Sequence, residues 1–133
     1  MISFENFIAE DGMPIYLQIR NQIVIGIANG ELVDGEKLPT IRALSNDLGI
    51  NMMTVSKAYQ LLKSEGYIYG DRRSGAVVRK PKAEALKASD LSEFAQEHIR
   101  LVAAQAKLKG VPMEEFLILC REIYESSEEG ENV

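Results

Sequence analysis

A mainly α fold with one small β-hairpin (α+β) is predicted by three features of this 133-residue sequence. Apolar residues recur at three- and four-residue spacing before Gly30, before Gly49 and before Gly66, which marks three amphipathic helices, each closed by a glycine. The second and third helices are separated by little more than Gly49, the left-handed stop that a helix-turn-helix needs. Two short β-branched and aromatic runs then flank a glycine-bounded turn. Together these features specify an N-terminal winged helix-turn-helix, followed by a C-terminal pair of helices.

In chain order, residues 1–12 form an arm containing Ile2, Phe4, Phe7 and Ile8. It is too apolar for a purely solvated tail and too short to fold alone, so it is expected to pack elsewhere on the molecule or on a partner subunit. Pro14 suits the first turn of a helix, and Tyr16, Ile19, Ile23 and Ile27 line that helix on one side. Leu32 and Leu38 flank a turn at Asp34-Gly35. Thr40 caps the second helix, whose apolar residues are Ile41, Leu44 and Leu48. Asn51 caps the third, with Val55, Ala58, Tyr59 and Leu62 on its inner side and Thr54, Ser56, Lys57, Gln60 and Lys63 on the other. Tyr67-Ile68-Tyr69 and Ala76-Val77-Val78 are the strands of a wing whose turn runs from Gly70 to Gly75.

The basic, proline-containing run Arg79-Lys80-Pro81-Lys82 is a natural boundary. It closes a winged domain at residues 1–80 and opens a linker at 81–88. Ser89 or Asp90 is expected to cap a fourth helix bearing Leu91, Phe94, Ala95, His98, Leu101, Val102, Gln105 and Leu108. Gly110 stops it, and Pro112 opens a last helix with Met113, Phe116, Leu117, Cys120, Ile123 and Tyr124 on one face. Residues 127–133 are an acidic tail, expected to fray. A two-helix hairpin over 89–126 has too little core to cover these apolar faces. Homodimerisation is expected to cover them, through Phe94, His98, Leu101, Val102, Leu108, Phe116, Leu117, Cys120, Ile123 and Tyr124.

Composition bounds the chemistry. Apolar content of 46% and charged content of 26% are ordinary for a soluble globular protein. No apolar run approaches the ~20 residues of a membrane span, and no basic-then-apolar leader opens the chain, so a cytoplasmic location is expected. One cysteine and one histidine exclude an intrachain disulfide and a multi-cysteine zinc site, and no nucleophile–base pair suggests an enzyme. No cofactor is expected. The net charge of −5 is unevenly spread. Residues 36–82 hold nine basic and four acidic residues, whereas 1–35 hold one and five, and 83–133 hold five and eleven. The positive segment coincides with the helix-turn-helix and wing, as a DNA-binding surface requires.

On that surface the candidate contacts are Thr40, Arg42, Asn51, Met52, Met53, Thr54, Ser56, Lys57, Lys63 and the wing residues Arg72, Arg73, Ser74 and Gly75. Arg42 is either a phosphate or base contact or a surface ion pair with Asp47 or Glu36, and the first is favoured. Thr54 and Ser56 carry hydroxyls short enough for phosphate or base edges. Lys57 and Lys63 suit sequence-independent phosphate contact or simple solvation. Arg72 and Arg73 suit phosphates or a narrow minor groove. Tyr59 is assigned to the core, and His98 to a satisfied interface or core position rather than to a metal.

The stretches Pro14-Ile15-Tyr16-Leu17-Gln18-Ile19, Gly30-Glu31-Leu32, Asp34-Gly35, Leu38-Pro39-Thr40-Ile41-Arg42, Thr54-Val55-Ser56-Lys57-Ala58-Tyr59 and Leu61-Leu62-Lys63-Ser64-Glu65-Gly66 resemble the GntR family of bacterial transcription regulators. The short C-terminal segment resembles the YtrA-like subfamily. The resemblance implies a dimeric repressor on an inverted-repeat, double-stranded operator. It also implies DNA contact at Arg42, at the start of the third helix and at the wing. Met52-Met53 stands where many relatives carry an arginine, and the wing sequence Arg73-Ser74-Gly75-Ala76-Val77 departs from the usual Gly-x-Gly followed by threonine and an aromatic. An arginine fork on guanine is therefore missing at Met52. The methionines can contact thymine methyls or pack inside a dimer. Two alternatives stay open: a protein-binding adaptor, and a switch responsive to a small molecule near the dimer helices, where there is little room for a pocket of ~300 Å³.

Overall fold

A computed structural model describes residues 12–70, 75–84 and 86–129, with side chains to residue 126. The apolar arm, the wing-tip residues Arg72, Arg73 and Ser74, and the end of the acidic tail lie outside the described residues. The chain divides into two compact units, Met1–Pro81 and Lys82–Val133.

In the first unit, α1 (Ile15–Ala28) begins directly after Pro14, which precedes the helix in an extended conformation instead of occupying its first turn. The Pro14 carbonyl accepts from the amides of Leu17 and Gln18 at 3.0 and 3.2 Å. Ile19, Ile23 and Ile27 point inward from α1 and meet Val55, Ala58, Tyr59 and Leu62 of α3 (Met52–Ser64). Leu32, Leu38, Leu44, Ile68 and Val78 complete the core. Ile19, Ile23 and Leu62 are wholly inaccessible to solvent. Burial of side chains of this size contributes about 1.5–3 kcal/mol each. Arg20 of α1 reaches the far end of α3, where its Nε and Nη2 donate to the two carboxylate oxygens of Glu65 at 2.8 and 2.5 Å. That fork raises the Arg20 pKa, against the smaller opposing effect of partial burial.

The helix-turn-helix is locked by short-range bonds. The Thr40 hydroxyl accepts from the Ala43 amide at 3.0 Å and starts α2 (Ile41–Leu48). Gly49 ends α2 in the left-handed conformation, φ 67°, which removes the steric cost a side chain would add there. Ser45, buried in α2, donates its hydroxyl to the Ile50 carbonyl at 2.6 Å while its own carbonyl accepts from the Ile50 amide at 3.1 Å. Asn51 Oδ1 then accepts from the Met53 amide at 2.8 Å and opens α3. The Tyr59 hydroxyl donates to the Pro39 carbonyl at 2.7 Å, fixing the head of α2 against the middle of α3. Burial pushes the Tyr59 phenol pKa up.

The wing strands β1 (Ile68–Tyr69) and β2 (Val77–Val78) pair antiparallel, Ile68 opposite Val78 and Tyr69 opposite Val77. The free edge of β2 is covered by residues 35–38, a pairing with no signal in the sequence pattern. Lys37 bridges Val77, and the amides of Gly35, Leu38 and Val78 donate to Val78, Ala76 and Glu36 carbonyls at 2.8–2.9 Å. The wing is thereby joined to the segment that leads into α2. At its root, Gly70 has φ 129° and lies so close to Gly75 that a Cβ at Gly70 would fall 1.8 Å from the Gly75 carbonyl oxygen.

In the second unit, α4 (Glu93–Leu108) and α5 (Met113–Glu129) are joined through Gly110. The expected cap at Ser89 or Asp90 is corrected: Ala88–Asp90 form a 3₁₀ turn, and Ser92 caps α4 by accepting from the Ala95 amide at 3.1 Å. Asp90 is engaged otherwise, its carboxylate accepting from the Lys87 amide at 3.0 Å. Leu91 consequently precedes α4, in extended backbone. Helix α5 continues to Glu129, past the boundary expected at residue 127. Among the described residues no helix is long and apolar enough to cross a membrane.

Two substitutions test these contacts. Gly70→Ala should cost about 1–3 kcal/mol more than Gly35→Ala in urea unfolding, because both carry positive φ but only Gly70 faces an obstruction; equal costs would contradict the tight wing root. Tyr59→Phe should lower the unfolding free energy by about 1 kcal/mol at neutral pH. Because folding raises the Tyr59 pKa, the unfolded chain loses that proton first, so this group's contribution falls as pH rises above about 10. Tyr59→Phe should flatten that alkaline decline, and parallel pH profiles for the two proteins would refute the assignment.

Candidate nucleic-acid interface

The core stripe of α3 determines what its opposite side can present. Val55, Ala58, Tyr59 and Leu62 turn inward. At 3.6 residues per turn, Met53 and Gln60 then lie on the outer side two turns apart, with Ser56 and Lys63 on one flank and Lys57 on the other. Met53 is 78% exposed and Met52 44%.

Between the head of α2, the outer side of α3 and the root of the wing runs an open groove of about 440 Å³. It gathers five of the residues singled out from sequence: Thr40, Arg42, Ser56, Lys63 and Gly75. Arg42 is exposed and forms no ion pair among the described residues, neither with Asp47 nor with Glu36, so its guanidinium is available to an anion. Lys63 is held differently. Its ammonium donates to the Gly70 carbonyl at 2.7 Å, which ties α3 to the wing root and fixes a positive charge on the groove wall.

The remaining candidates lie outside the groove lining. Asn51 is occupied as a cap, and Thr54 is half-buried. The Lys57 ammonium sits 4.2 Å from the centre of the Tyr16 ring, a cation–π contact that places its charge at the α1–α3 junction. Arg72, Arg73 and Ser74 lie outside the described residues. Seven groove residues are not among the candidate contacts: Ile41, Tyr59, Ile68 and Ala76 belong to the core or pack against it, and the other three are Gln60, Tyr69 and Gly70. The spacing had already put Gln60 on the outer side of the third helix, though not among the contacts. Tyr69 and Gly70 depend on how the hairpin folds back, and Arg79 stacks its guanidinium 4.6 Å from the Tyr69 ring. The arrangement offers cations and hydrogen-bonding side chains on a convex helix beside a hairpin, which suits a phosphate-lined groove better than an enclosed small molecule.

The residues expected at a dimer interface are displayed rather than buried. Phe94, Leu101, Val102, Leu108, Leu117, Ile123 and Tyr124 are exposed, Leu108 by 88%, and only Phe116 is half-buried. Ile99, Ile118 and Leu119 are further exposed apolar positions on these helices, off the stripes that the spacing marks. His98 Nδ1 lies 2.9 Å from the Phe94 carbonyl, and its ring meets Phe94 edge-on at 4.3 Å. Cys120 is a free, exposed thiol.

Comparison with known proteins assigns the N-terminal unit. The family described as "Bacterial regulatory proteins, gntR family" matches residues 15–78. The HTH-type transcriptional repressor NagR of Bacillus subtilis is 39% identical over 79 residues, covering 59% of this chain, which spans only about a third (32%) of NagR. The HTH-type transcriptional regulator Rv1152 of Mycobacterium tuberculosis is 33% identical over 84 residues, covering 62% of this chain and 69% of the relative. The solved structure of YtrA from Sulfolobus acidocaldarius, a GntR-family transcription factor, matches with a TM-score of 0.56 and 38% identity over 80% of this chain and 99% of that one. With its winged-helix fold and these matches, the chain belongs to the GntR family of bacterial regulatory proteins.

Proposed function

We propose that this protein is a sequence-specific DNA-binding transcriptional regulator of the YtrA-like type, acting in the cytoplasm as a homodimeric repressor on an inverted-repeat operator. The observation that carries the reading is the convergence of Arg42, Ser56, Gln60, Lys63 and the wing root on one groove, within the segment that holds most of the chain's positive charge. On this reading α3 enters the major groove, Arg42 contacts phosphate or base at its side, and the wing lies along the backbone. NagR is named a repressor and YtrA a transcription factor, which supports the same role here. The match to nearly the whole of YtrA supports the short-domain subfamily.

The exposed apolar positions of α4 and α5 support homodimerisation through these helices. A two-fold dimer places two copies of α3 about one helical turn of DNA apart, roughly 34–36 Å, which is the geometry an inverted repeat demands. Cations that neutralise phosphates release the counterions condensed there, so binding should weaken steeply with salt.

Selection of bound duplexes from a random pool should recover an inverted repeat, bound less tightly as salt rises; no enrichment together with salt-insensitive binding would contradict a DNA-reading role. Arg42→Ala should weaken operator binding by about 1–3 kcal/mol while changing the unfolding free energy by less than about 0.5 kcal/mol, and unchanged affinity would remove Arg42 from the interface. Truncation after Pro81 should give a monomer with much weaker operator affinity. A truncated chain that stays dimeric in light scattering would place the dimer interface elsewhere.

A further inference from the structure

We propose that Met53, with Met52 beside it, reads thymine methyl groups in the operator half-site. This inference rests on the proposed entry of α3 into the major groove and deepens it by naming the chemistry of recognition. Met53 is the most exposed side chain among the described large apolar residues of the first unit, at 78%, and it projects from the outer side of α3 opposite the wholly buried Val55 and Leu62. Covering so exposed an apolar side chain with an apolar partner removes its surface from water, which is favourable.

Two of the polar groups around the start of α3 are engaged within the protein. Asn51 Oδ1 holds the Met53 amide at 2.8 Å. The Lys57 ammonium lies 4.2 Å over the Tyr16 ring, toward α1. Thr54 is half-buried. The leading turn of the helix presents two exposed thioethers, Met52 and Met53. A thioether is a weak acceptor and donates nothing, so it cannot replace the water lost from guanine O6 and N7 or from the amino groups of cytosine and adenine. The one apolar feature on a major-groove edge is the C5-methyl group of thymine. Selectivity follows from both sides: methyl–thioether contact favours thymine, and unpaired polar edges disfavour the alternatives. The unbranched methionine side chain, with three rotatable bonds, suits adjacent methyls at slightly different heights.

The test uses the full chain and the duplex selected from the random pool, with each half-site thymine replaced in turn by deoxyuridine, which deletes the methyl and nothing else. One or two positions per half-site should bind about three- to fivefold more weakly, the effect of one buried methyl-sized group. Met53→Ala should bind the thymine and deoxyuridine duplexes at those positions equally. Uniformly neutral deoxyuridine substitutions in an operator that still binds tightly would overturn the methyl reading while leaving DNA binding intact. The methyl reading also fails if Met53→Ala keeps the wild-type preference for thymine, or if it changes the oligomeric mass in light scattering, which would place Met53 in a protein contact. Absence of binding to any duplex would overturn both the inference and the DNA-binding reading beneath it.

Discussion

Everything in the winged unit depends on holding α3 rigidly from behind while its outer side stays bare. Val55, Ala58, Tyr59 and Leu62 are buried against α1 and the strands, and this apolar contact supplies the stabilisation. Directional bonds then fix the helix along its length. Asn51 caps its start, the Ser45–Ile50 pair sets the turn that leads into it, Tyr59 ties its middle to Pro39, and the Arg20–Glu65 fork closes its end. Each bond is worth only about 1 kcal/mol. Together they restrict sliding and rotation, which hydrophobic contact alone does not, and a helix that reads base edges must not slide.

The wing is held by the same logic from the other side. Lys63 reaches from α3 to the Gly70 carbonyl, the 35–38 segment covers β2, and the close approach of Gly70 to Gly75 admits no side chain at Gly70. The groove walls are thus parts of one bonded framework. The C-terminal helices follow the opposite rule. Ser92 caps α4 and Gly110 closes its end, yet no residue of α4 is buried. Such helices are formed locally and carry large apolar side chains on their exposed surface.

How much of this could be foreseen depended on range. Thr40, Gly49 and Asn51 act within a few residues of themselves, so their capping and turn roles were legible and the helix-turn-helix followed. The start of α4 was not, because Ser89, Asp90 and Ser92 are all competent caps, and Asp90 takes the Lys87 amide while Ser92 takes that of Ala95. The pairing of residues 35–38 with β2 was hidden because that segment has no alternating pattern. Lys57 and Lys63 both look like free cations in the sequence, whereas Tyr16 and Gly70, distant in sequence or across a turn, engage them. For Arg42 the sequence left an ion pair with Asp47 or Glu36 open, and among the described residues neither forms.

The most direct measurement is an NMR titration of the full chain, labelled at its backbone amides, with the selected operator duplex. Recognition through the groove requires the largest shifts at residues 40–42 and 52–56, at Gln60 and at Gly70 and Gly75 of the wing root, with α4 and α5 little changed. Shifts concentrated in α4 and α5, with Arg42, Met53 and Gln60 undisturbed, would contradict it.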